Sequence, residues 1–288
     1  MTNVAQRLLL FFIAVPLLVV AVFLMPWAKH AAVVAVILAF SAGSASELGR
    51  LFRARGVDLP QAAYIALGLA APAAAYVGSL LEGKVGLIGP VGALALGGAV
   101  AAVAAFSPFA LIGKEDIEGA LPKAAALGFA AMYPGLLASF IVLIASEPPM
   151  ATEALVAFCL VTFGNDSLAW LAGMTLGRKR GLVAVSPNKS LAGFIAGFSA
   201  STILPLACAR IFPSAMDAPW WALLILGASV GVAGILGDLF ESALKRSAGI
   251  KDSGNLVPGR GGFLDSFDSL LFAAPLFYGL SLLMGLFR

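Results

Sequence analysis

Five carboxylates stand where a hydrophobic chain would not place them without a reason. Asp166 follows Asn165 inside an apolar run, Asp238 and Glu241 lie near the end of another, and Asp265 and Asp268 open the last one. A charge within an apolar helix costs roughly 2.5–3.5 kcal/mol on insertion scales. Asp238 and Glu241, like Asp265 and Asp268, are spaced i, i+3 and therefore share a helix face. If their helices pack side by side, Asp238, Asp265 and Asp268 meet at one depth and repel unless cations lie between them. Oxygen-only donors suit Mg²⁺, which commonly joins a few carboxylates to substrate phosphates. The plainer alternative is that these acids pair with Lys245, Arg246 and Lys251 close by.

Between the acids runs a segment with the makings of an anion site: Ser242, Lys245, Arg246, Lys251 and Asp252, then Pro258-Gly259-Arg260-Gly261-Gly262. Glycines allow close backbone approach to an anion, and the N–H groups that open the following helix present positive charge to it. The basic side chains add to phosphate attraction. No Gly-x-x-x-x-Gly-Lys-Ser/Thr loop occurs, and a positive loop resting on lipid headgroups is the competing reading.

The elements that must position these residues follow from composition. Of 288 residues, 61% are hydrophobic and 11% charged, with a mean hydropathy of +1.00. Soluble domains carry about 25% charged residues, so a water-soluble globule is excluded, and so is a disordered chain. The net charge of +3 is too small for a nucleic-acid footprint, and no nucleic-acid partner is expected. His30 has neither a cysteine nor a second histidine beside it, and Cys159 and Cys208 sit in apolar stretches, so neither a zinc site nor a disulfide frame is readable. A hydrolase that depends on a histidine base would have to use His30, far from any other polar cluster.

A spanning helix needs about 20 apolar residues. The pattern predicts an all-α polytopic membrane protein with nine spans, near 8–25, 31–48, 62–80, 86–106, 124–146, 151–174, 191–211, 219–238 and 263–286. The first reads as an anchor rather than a cleaved leader, because no small-residue cleavage site follows it. With nine spans, fourteen of the eighteen Lys and Arg fall on one side, which places the N-terminus and the loops 175–190 and 239–262 in the cytoplasm. One membrane domain is expected over 1–288, with 1–123 mainly scaffold and 151–288 catalytic.

The residues themselves resemble the signature of the phosphatidate cytidylyltransferase (CDP-diacylglycerol synthase) family. The likeness runs from Gly237-Asp238-x-x-Glu241-Ser242 through Leu244-Lys245-Arg246 and Lys251-Asp252-x-Gly254. It continues into Val257-Pro258-Gly259-Arg260-Gly261-Gly262-Phe263-Leu264-Asp265-x-Phe267-Asp268-Ser269. A second stretch holds Asp166-Ser167-x-Ala169-Trp170, Gly173, Gly177-Arg178 and Ser186-Pro187-Asn188-Lys189-Ser190. The chain departs from the family pattern at Arg260, where His is usual, at Ser266, where Arg is usual, and at Leu191-Ala192, where Trp-Glu commonly stands.

The resemblance implies a Mg²⁺-dependent enzyme of phospholipid biosynthesis in the bacterial cytoplasmic (inner) membrane, its active site at the cytoplasmic face. Its partners are then CTP and phosphatidic acid, its products CDP-diacylglycerol and pyrophosphate, and its association a homodimer. On that reading Asp238, Asp265 and Asp268 hold metal, in a two-ion site, with Asp166 a further candidate. Lys189, Lys245, Arg246, Lys251 and Arg260 grip phosphates. Ser186, Asn188 and Ser190 orient the nucleotide, and Ser242, Asp252, Gly259, Gly261 and Gly262 complete the substrate loop. The rivals are a CTP-dependent lipid kinase, a cytidylyltransferase for another lipid phosphate, and a proton- or cation-coupled transporter. The transporter fits less well, because the acids gather at one membrane face and no inverted repeat is visible.

Overall fold

The computed structural model describes residues 20–82, 90–106, 109, 117–146, 149–254 and 261–287. The protein is an all-helical integral membrane protein. Seven helices among the described residues are long and apolar enough to span a bilayer, and a shorter apolar helix covers Val91–Phe106. The predicted first span, 8–25, lies mostly outside the described residues, as does the start of the fourth.

The helices are α1 (Trp27–Arg53), α2 (Gln61–Leu81), α3 (Pro90–Phe106), α4 (Ile117–Ala130), α5 (Leu137–Ser146), α6 (Ala151–Thr175), α7 (Leu191–Ile211), α8 (Trp220–Ser247) and α9 (Leu264–Leu283). Two compact units emerge. One holds residues 1–146 and 247–267, the other 147–246 and 268–288. The described residues 247–254 and 261–267 group with the first unit.

In the first unit α1 packs on α2, and α2 on α3 and α5. Arg53 at the end of α1 pairs with Asp58 at 3.1 Å and donates to the Leu59 carbonyl, which fixes the turn into α2. At the other end of α1 the chain departs from a simple span. Ala28, Lys29 and His30 are in left-handed conformation, which costs roughly 1–2 kcal/mol per non-glycine residue. Side chains hold that turn: Tyr76 donates to the Ala28 carbonyl at 2.7 Å, Lys29 pairs with Glu82 at 2.8 Å, and His30 Nδ1 lies 2.8 Å from the Ala145 carbonyl. A carbonyl only accepts, so Nδ1 carries the proton.

The predicted span 124–146 is a longer apolar run, Ile117–Ser146, that is not a uniform helix. Residues Ala131–Leu136 form a π-helical stretch around Pro134. Proline lacks the N–H that an α-helical ladder needs, and a π-bulge absorbs the missing bond. The buried Ser41 hydroxyl lies 2.6 Å from the Pro134 carbonyl and 2.9 Å from that of Gly68, so the irregular backbone stays satisfied away from water.

In the second unit α6 and α7 pack along a seam of small residues. A side chain at Gly164 would strike Leu204, and one at Gly197 would strike Asn165. Helix α8 runs further than its predicted span of 219–238, through to Ser247, so the first nine residues of the expected 239–262 loop are helical. Glu241 and Lys245, four apart, pair at 2.7 Å, and Lys245 and Arg246 suit the negative end of the helix dipole. Gly249, at φ 75°, follows the helix end.

Candidate active site

The segment Ser186-Pro187-Asn188-Lys189-Ser190 closes a short hairpin. Arg180 and Ser190 form an antiparallel bridge, and the Gly181 amide donates to the Pro187 carbonyl at 2.9 Å. The Arg180 guanidinium donates to the carbonyls of Gly173, Gly177 and Asn188, tying the hairpin to the end of α6. Ser190 is buried and caps α7, its Oγ accepting from the Gly193 amide at 3.1 Å. Its hydroxyl is thus engaged by the helix it starts, while Asn188 is exposed and Ser186 half-buried.

That cap fixes where Lys189 points. Its ammonium pairs with the Asp238 carboxylate on α8 and lies 5.6 Å from the centre of the Phe194 ring. Asp268 on α9 is buried, accepts from the Ser269 amide at 2.6 Å, and is within electrostatic reach of Asp238, Asp166 and Lys245. The second unit therefore brings Asp166, Asp238 and Asp268 into one electrostatic cluster with Lys189 and Lys245 beside it. Close backbone approach makes this possible. A Cβ on Gly237, one residue before Asp238, would collide with the Asp268 carbonyl. Behind the cluster, buried Asn165 donates from Nδ2 to the Gly231 carbonyl at 3.0 Å, locking α6 to α8 next to Asp166.

Asp265 belongs to a different network, in the first unit. Its Oδ2 accepts from the Ser253 amide at 3.0 Å and the Gly262 amide at 2.7 Å, and the Ser253 hydroxyl oxygen lies 2.9 Å away. Gly261 makes the bend, with φ 112°, and a Cβ there would run into Asp265 Oδ2. Lys251, Asp252 and Arg246 are exposed and Ser242 is half-buried. Gly259 and Arg260 lie outside the described residues.

One residue of this network escapes a reading of the C-terminal motifs: Glu47 on α1, fully buried. Its Oε1 accepts from the Phe263 amide at 3.0 Å, and its Oε2 from the Leu264 amide at 2.9 Å and the Ser253 hydroxyl at 2.6 Å. Arg50 Nη2 stands 3.4 Å from Oε1. The signal lay in the sequence as an acid inside the apolar run 31–48, among Ser41, Ser44 and Ser46.

Among the described residues no three His, Cys, Asp or Glu side chains are gathered closely enough to enclose a metal ion. The chemistry of the cluster still suits a hard cation. Its donors are carboxylate oxygens alone, and Mg²⁺ takes only one or two of them before completing its shell with water and phosphate.

A family model described as "Cytidylyltransferase family" matches residues 5–284. A phosphatidate cytidylyltransferase of Bacillus subtilis (strain 168) is 38% identical over 151 residues, 52% of this chain and 55% of that protein. Proteins of the same name from Staphylococcus saprophyticus and Staphylococcus haemolyticus are 43% and 40% identical over 117 residues, in each case 41% of this chain and 44% of the relative. The chain spans about half the length of the curated relatives it matches.

Proposed function

The chain belongs to the cytidylyltransferase family, and from that premise we propose that it makes CDP-diacylglycerol from CTP and phosphatidic acid. A phosphatidate oxygen attacks the α-phosphorus of CTP, the bond to the β-phosphate oxygen breaks, and pyrophosphate leaves. The observation that supports this reading best is the cluster of Asp166, Asp238 and Asp268 with Lys189 and Lys245. The attacking phosphate is already anionic, so no strong base is required. The difficulty is bringing two anions together, and a site that sets fixed cations among acids answers it.

Lys189 and Lys245 are each held by an acid, Asp238 and Glu241, and so are aimed before substrate arrives. Arg246, Lys251 and Arg260 supply further positive charge for the phosphates, and Ser186 and Asn188 orient the nucleotide. Divalent ions, when bound, supply charge that offsets the phosphates and the departing pyrophosphate. Asp238 and Asp268 are the residues we assign to hold them, with Asp166 a further candidate, and the family resemblance adds Asp265. We place the reaction at the cytoplasmic face of the bacterial inner membrane, in a nine-span chain whose cytoplasmic N-terminus the Lys and Arg bias supports, associating as a homodimer as the family resemblance implies.

The test is product identity. Purified protein in mixed micelles with CTP, Mg²⁺ and phosphatidic acid should release pyrophosphate and yield CDP-diacylglycerol by mass. Release of CDP from a lipid alcohol would make it a kinase instead, and substrate movement across vesicles without CTP would make it a transporter.

A further inference from the structure

We propose that Glu47, on α1 and remote in sequence from the C-terminal motifs, is a positioning residue that holds Ser253 and the turn 261–265 in their working arrangement. The proposal rests on the cytidylyltransferase reading for what that arrangement does, and on the geometry alone for what Glu47 does to it. A fully buried carboxylate is expensive unless its lone pairs are met. Here both oxygens are met: Phe263 and Leu264 give their amides and Ser253 its hydroxyl. Those two amides open α9, where orphan N–H groups and the helix dipole both favour an anion. Glu47 thus caps from a distant helix the very turn that carries Asp265.

The fit is mutual. A Cβ at Gly254 or at Gly262 would land on the Glu47 carboxylate, so the backbone at both positions fits closely around it. Gly43, one turn earlier on α1, leaves room for the Phe263 ring, and Phe40 meets Phe263 edge-on at 5.0 Å and Phe267 at 5.5 Å. Ser253 bridges the two acids, its Oγ lying 2.6 Å from Glu47 and 2.9 Å from Asp265. A change at Glu47 therefore reaches Asp265 through one intervening side chain and two backbone amides.

Glu47→Gln keeps the size but turns one oxygen into a donor facing donors, while Ser253→Ala removes only the bridge. Full-length wild type, E47Q, S253A and the double variant would be compared in detergent by two readouts. The first is amide hydrogen exchange over residues 261–267, against 191–211 as an internal control. The second is turnover with CTP and phosphatidate across a Mg²⁺ titration. We expect E47Q to speed exchange of 261–267 at least about tenfold and leave 191–211 unchanged. Its kcat should fall about thirtyfold, the loss of about one charge-assisted hydrogen bond, with KM for phosphatidate within about twofold and half-saturating Mg²⁺ raised. A merely destabilised protein would lose active fraction without moving the Mg²⁺ requirement. S253A should move the same way by less, and the double variant should be no worse than E47Q. Unchanged exchange, kcat within about threefold of wild type, or additive losses would each overturn the assignment. Should E47Q fail to fold, S253A decides alone, and unchanged exchange there overturns it. Should wild type show no turnover, the cytidylyltransferase reading fails while the exchange arm still decides the role of Glu47.

Discussion

Replacing Lys189 by methionine separates its two jobs. The ammonium pairs with Asp238, with side-chain exposures of 27% and 36%. A pair so open to solvent contributes about 1 kcal/mol or less to stability once screening is counted. Methionine keeps the stem that packs near Phe194, so the unfolding midpoint in detergent should move by no more than a few degrees. Catalysis should suffer much more. A hydrogen bond to a charged group contributes about 1.5–3 kcal/mol, and each 1.4 kcal/mol is a factor of about ten. If Lys189 grips a phosphate of CTP, K189M should lower kcat/KM for CTP between about tenfold and a hundredfold. Without the ammonium, Asp238 also faces Asp268 with less offset, which raises the demand for divalent cation. Lys189→Arg should recover part of the loss, since charge returns with a different shape. The assay is pyrophosphate release over a CTP titration at fixed phosphatidate, with thermal unfolding alongside. A K189M protein with wild-type kcat/KM would refute the phosphate role, and one with a collapsed midpoint would make Lys189 a structural residue.

Further outcomes follow from the same geometry. Asp268→Asn should abolish most turnover yet raise the unfolding midpoint, because a buried acid among acids is kept at a stability cost, and a fall in midpoint would contradict the repulsion argument. Ser190→Ala removes the α7 cap and should cost about 1 kcal/mol, measurable by chemical unfolding, with reduced turnover as the Lys189 hairpin loosens. Gly261→Ala puts a Cβ at φ 112° against Asp265, and should cut turnover while leaving expression intact; normal activity would mean the bend is not used.

Much of this was legible in the sequence for a simple reason. Spans are dictated by apolar length, so 62–80, 151–174 and 191–211 reappear within a residue or two as α2, α6 and α7. What failed to show was everything that depends on a local exception. Lys245 and Arg246 read as loop because they are charged, yet the Glu241–Lys245 pair carries α8 through them. Pro134 reads as one more residue of an apolar helix, while its missing N–H opens a π stretch. In the site, the spacing of Asp265 and Asp268 suggested a shared task. The structure engages Asp265 with Ser253 and Gly262, and Asp268 with its own amide neighbour and the Asp166–Asp238 cluster. Glu47 stayed hidden because its partners lie more than 200 positions away, a distance no periodicity can bridge.

The most direct test of the account is pyrophosphate release with CTP, Mg²⁺ and phosphatidic acid in mixed micelles, run on wild type and Asp238→Asn side by side with the lipid product weighed. Wild type should show phosphatidate-dependent release and a CDP-diacylglycerol mass, both lost in D238N and both lost in wild type when the metal is chelated. Folded wild-type protein that releases no pyrophosphate, or a D238N variant that turns over like wild type at limiting Mg²⁺, would contradict it.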